Sequence, residues 1–72
     1  MKKFRIVNPE GFGKTAAQKV KESFNHYGLK YKKIGGERAA YGNPEYIEIE
    51  TEHDLDSDVM QSIAYNTKVT EI

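Results

Sequence analysis

The chain begins with a regular alternation. In "KKFRIVN", residues 2–8, Phe4 and Ile6 fall on one side and Lys3, Arg5 and Val7 on the other, the period of a half-buried strand. Asn8-Pro9 is a turn signal that ends it. From about Gly13 to Tyr27 the spacing changes. Ala17, Val20, Phe24 and Tyr27 recur at steps of three, four and three, which lays one apolar stripe along a helix. Gly28 is placed to close that helix in the left-handed conformation, with Leu29 packing back on the last turn.

Two more strands are expected at "LKYKKI", residues 29–34, and "EYIEIET", residues 45–51, where Ile47 and Ile49 alternate with Tyr46, Glu48 and Glu50. The intervening "GGERAAYGNPE" is long for a hairpin loop, and a bulge at Gly35-Gly36 would carry the strands part of the way into it. A second helix is expected from about Asp54 to Tyr65, with Leu55, Val59 and Ile63 in a row that Met60 and Ala64 widen. The acids at 54, 56 and 58 would lie in its first turn, favoured by the helix dipole, and Asn66 would cap its end. "TKVTEI" closes the chain as a short strand.

The order β-α-β-β-α-β predicts the ferredoxin-like α+β plait, a four-stranded antiparallel sheet with two helices on one face. Right-handed crossovers place the first and third strands at the centre and the second and fourth at the edges. This resemblance is to a fold, spans all 72 residues as a single domain, and carries no family motif. A fold shared by many functions does not supply one.

Charge changes the picture more than size does. Residues 1–40 carry ten Lys and Arg against three acids, a net of +7, whereas residues 41–72 carry Lys68 against eight acids, a net of −7. Such asymmetry suits a nucleic-acid face, or two halves that attract one another across a sheet. The plait favours the second reading. It sets Lys3 and Arg5 beside Glu48 and Glu50 on the open face of the two central strands, where each opposite pair contributes roughly 0.2–1 kcal/mol. The lysines at 30, 32 and 33 would then lie on an edge strand, a common guard against edge-to-edge association.

The remaining chemistry is sparse. "NPEGFGKT" resembles the end of a phosphate-binding loop, but the position five before Gly13 is Asn8 rather than Gly, and Pro9 removes a backbone donor from the cradle. Gly11 and Gly13 fit a tight strand-to-helix turn instead. "DLDSDV" starts like a calcium loop, yet Val59 and Tyr65 occupy the positions that need Gly and Glu. His26 and His53 have no partner at ligand spacing, and with no Cys there is neither a thiolate metal site nor a cysteine nucleophile. No metal, cofactor or catalytic residue is expected, and the chain is read as noncatalytic. No stretch is apolar enough for a signal peptide or a membrane span, so a cytoplasmic protein without a membrane partner is expected.

Two binding readings remain. The preferred one is a small interaction or regulatory module that binds another protein, or itself, through a sheet edge or the 35–44 loop, with Arg38, Tyr41, Lys30, Lys32, Lys33 and Tyr46 as partner-binding residues. The alternative is a nucleic-acid-binding domain that uses the basic edge Lys30, Lys32, Lys33 and Arg38, with Tyr31 or Tyr41 for stacking.

Overall fold

The computed structural model describes residues 1–9 and 13–72. Among them four strands and two helices run in the order β1 (Lys2–Asn8), α1 (Ala16–Tyr27), β2 (Lys32–Glu37), β3 (Glu45–Thr51), α2 (Asp58–Ala64) and β4 (Lys68–Glu71). The strands form one antiparallel sheet in the spatial order β2-β3-β1-β4. This is the ferredoxin-like arrangement, with β1 and β3 central as the crossover rule requires.

The alternating apolar residues of the central strands all face the helices. Phe4, Ile6, Ile47 and Ile49 are buried against Ala16, Val20 and Phe24 of α1 and Val59, Met60 and Ile63 of α2. On α1 the buried row runs at steps of four, so Ala17 is only partly buried and Tyr27 is largely exposed.

α1 starts at Ala16 rather than near Gly13, because "TAAQ" is a capping box. The Thr15 hydroxyl oxygen accepts from the Gln18 N–H at 3.1 Å, and the Gln18 side-chain oxygen accepts from the Thr15 N–H at 2.9 Å. Gly13 has φ +78, as a turn there requires, while Gly11 lies outside the described residues. At the other end Gly28 takes φ +67 and its N–H and that of Leu29 reach the Asn25 and Phe24 carbonyls, so the helix closes as expected. Thr15→Ala is expected to cost about 0.5–2 kcal/mol, read from the urea midpoint, with α1 fraying at its first turn in amide exchange.

α2 is shorter than its sequence suggests. Ser57 is its N-cap, accepting from the Met60 N–H at 3.4 Å, so only Asp58 of the three acids lies in the first turn. Leu55 falls in the preceding turn and is largely exposed, its carbonyl taken by the Gln61 side-chain amide at 2.9 Å. The end of the helix is capped by Tyr65 in right-handed conformation, not by Asn66. The Asn66 carbonyl instead accepts from Lys19 Nζ at 3.2 Å, which ties α2 to α1.

Candidate functional site: the β2 edge and hairpin tip

β2 differs from the expectation in both position and use. Leu29 and Tyr31 do not join the sheet. They pack on the core beyond the end of α1, where the Tyr31 ring lies 4.7 Å from that of Phe24. The strand instead runs from Lys32 to Glu37, across the Gly-Gly pair, with the extra residue falling between Lys33 and Gly35. β2 terminates the sheet order, and no residue along it is buried. α1 covers β3 and β1, and α2 lies against β4, leaving the outer strand uncovered on the helix side as well as on the open side.

Gly36 makes the close pairing of this edge feasible. It has φ +148, and a Cβ there would lie 2.7 Å from the Tyr46 carbonyl oxygen. The missing side chain also helps to leave a groove of about 360 Å³ between β2 and the start of α1, lined in part by Thr15, Lys33, Gly36, Arg38 and Ile47.

The hairpin tip folds on itself. Ala40 and Asn43 exchange backbone hydrogen bonds at 3.2 and 2.8 Å around Tyr41 and Gly42, whose φ values are +50 and +83. This is the backbone of a type I′ turn, which resolves the long loop into a short return. Asn-Gly is the usual sequence for it. Here Tyr41, fully exposed, holds the first left-handed position, and among the described residues it is the one non-glycine with positive φ.

The six candidate residues do not form one patch. Lys30 precedes β2, and Arg38 follows its other end. Lys32 is in register with Glu50 on the open face, whereas Lys33 is in register with Ile49 and so projects to the helix side. Tyr46 lies on β3 with the Arg5 guanidinium 4.9 Å above its ring. Arg5 also donates to Glu48 Oε2 through Nε at 3.0 Å and Nη2 at 2.8 Å. That hydrogen bond, with the charge of Glu48, raises the Arg5 pKa further above its already high value. The register sets Lys3 opposite Glu50 and Arg5 opposite Glu48, so the charge segregated along the sequence is interleaved in space. The one aromatic side chain on the open face of the central strands is thus engaged by an arginine and flanked by carboxylates, a poor surface for a nucleic-acid backbone.

Other charges serve the frame. A Glu45 carboxylate oxygen accepts from the Ala16 N–H and from Asn8 Nδ2, the latter at 3.3 Å. Buried Asn8 donates as well to the Lys14 carbonyl at 3.2 Å, so the end of β1, the start of α1 and the start of β3 meet at one carboxylate. Lys2 bonds Asp54 at 3.2 Å near Glu71, and these carboxylates raise its pKa. His53, expected on the approach to α2, is half-buried with its ring 6.3 Å from Phe24. Among the described residues no cluster of three or more His, Asp or Glu is placed to hold a metal ion, and no helix is long and apolar enough to cross a membrane. Compared with protein-family models, curated proteins and solved structures, the chain matches none.

The sequence points to Ile34 as an edge residue, to a bulge at Gly35-Gly36, and to Arg38 and Tyr41 beyond it, but not to Glu37 as part of the strand. A Gly-Gly pair ordinarily signals a loop, and only pairing with the well-patterned β3 turns it into a strand.

Proposed function

We propose that the protein is a noncatalytic protein-interaction module that binds through the outer edge of β2 and the adjoining hairpin tip. The observation that carries this reading is an edge strand uncovered on both faces, leading into a turn where a fully exposed tyrosine is held in left-handed conformation. An open edge offers main-chain hydrogen bonds for strand addition. A tyrosine at its end offers a large, rigid contact of the kind that anchors interfaces. Left-handed conformation costs a non-glycine residue roughly 1–2 kcal/mol, and Tyr41 makes no buried contact in return.

Tyr41→Gly separates the two roles. Its melting temperature is expected to hold or rise, because glycine relieves the turn. Capture of partner proteins by the tagged full chain from a cell lysate, quantified by mass spectrometry, is expected to fall about tenfold or more. Ile34→Asp, at the exposed middle of the edge, is expected to act likewise. A chain that neither captures a partner nor associates with itself, or whose binding ignores both substitutions, defeats the reading.

A further inference from the structure

We infer that β2 is built to pair antiparallel with β2 of a second copy, about a two-fold axis between Ile34 and Gly35, extending the sheet across the dimer. This rests on the edge-binding reading and names the partner. The strand reads Lys32-Lys33-Ile34-Gly35-Gly36-Glu37. In that antiparallel register Lys32 of each copy stands opposite Glu37 of the other, and Lys33 opposite Gly36.

Residues paired across two strands must project to the same face. In an unbroken strand, positions 32 and 37 are an odd number of steps apart and project to opposite faces. Here the extra residue between Lys33 and Gly35 restores the match. Lys32 is in register with Glu50, and Glu37 with Tyr46, so both stand on the open face. Lys33 and Gly36 are in register with Ile49 and Ile47 and share the other face. Backbone hydrogen-bonding direction alternates with the same period, so the residues of each pair also direct their peptide groups to the same side. The irregularity that would blunt an edge against a foreign strand fits this edge to its own copy.

The opposite edge supplies the contrast. β4 also runs from lysine to glutamate, Lys68 to Glu71. It pairs with β1 without a shift, so Lys68 lies on the open face opposite Val7 and Glu71 on the helix side opposite Phe4. A symmetric pairing of Lys68 with Glu71 is therefore excluded by the pleat. Glu71 also lies 3.9 Å from Lys2 of its own chain.

Six residues per copy make a small contact, so the dimer is expected to be weak and seen best by sedimentation over a concentration series reaching the millimolar range. Glu37→Lys and Lys32→Glu each place like charges opposite one another twice by symmetry, and each is expected to weaken self-association about tenfold to a hundredfold. Mixing the two variants leaves one cross-strand pair with its native charges and the other with its charges swapped. At positions 32 and 37 every lysine then faces a carboxylate again, so the mixture is expected to dimerise far more strongly than either component alone. Far-UV circular dichroism confirms that each variant is folded. Amide exchange on the unmodified chain gives the same test without substitution, with protection at 32–37 rising with concentration. A wild-type chain monomeric throughout the series overturns the inference, as does a dimer that ignores both charge reversals or variants that do not combine. A monomer whose β2 edge captures a different protein overturns only the self-pairing. A monomer that captures nothing defeats the edge-binding reading as well.

Discussion

Replacing Phe24 by alanine is expected to lower the unfolding free energy by about 3–5 kcal/mol, the range for truncating a fully buried aromatic. Phe24 is 0% exposed and is the one residue of α1 whose ring reaches the Tyr31 and His53 rings beyond the end of the helix. Truncation would thus leave a void in the core and loosen the segment that leads into β2. A domain of 72 residues has little reserve. Typical stabilities begin near 5 kcal/mol, so the variant should be partly unfolded at physiological temperature. Urea denaturation followed by circular dichroism measures the loss. A cost below about 1 kcal/mol would mean that the helix-to-sheet packing around this ring does not hold the fold together.

Gly36→Ala is the second large effect, and it should be local. A Cβ at this position would stand 2.7 Å from the Tyr46 carbonyl oxygen and 3.1 Å from the Ile47 Cα, both backbone atoms of a central strand that cannot yield. With the unfavourable φ of +148 added, the expected cost is about 1–3 kcal/mol, concentrated in the pairing of β2 with β3. Amide exchange should show lost protection along 32–37 while β1 and α1 keep theirs. Gly42→Ala is the control. It has φ +83 but nothing within 4 Å, so it should strain the turn and leave the strand pairing intact.

These two residues also mark what can and cannot be read from the chain. Phe24 is legible because helical spacing assigns it to a face without knowledge of its neighbours. Alternation does the same for Phe4, Ile6, Ile47 and Ile49. Chain order and crossover handedness then suffice to set Arg5 beside Glu48, where the ion pair is found at 2.8 Å. Gly36 is legible as part of a bulged extension of the strand, but the reason that only glycine fits there is not, because it depends on the backbone of β3 pressed against it. The late starts of the two helices escape for a different reason. Thr15-Gln18 and Ser57 carry capping signals in the sequence that fix the helix starts, whereas the apolar row of the second helix runs back to Leu55, past its cap, and is the weaker guide. Tyr41 is legible as exposed, though its left-handed turn is hidden behind a Tyr-Gly pair in place of Asn-Gly.

The uncovered position of β2 has a consequence for how the molecule opens. Among the described residues the ten core side chains come from β1, β3 and the two helices. The outer strand can therefore peel away at the cost of its ladder of hydrogen bonds, without wetting the buried carbon. Its excursions should be frequent and shallow compared with unfolding of the whole chain. Each one briefly strips the flank of β3, a strand in which isoleucine alternates with glutamate, and any companion resting on β2 would keep that flank shut.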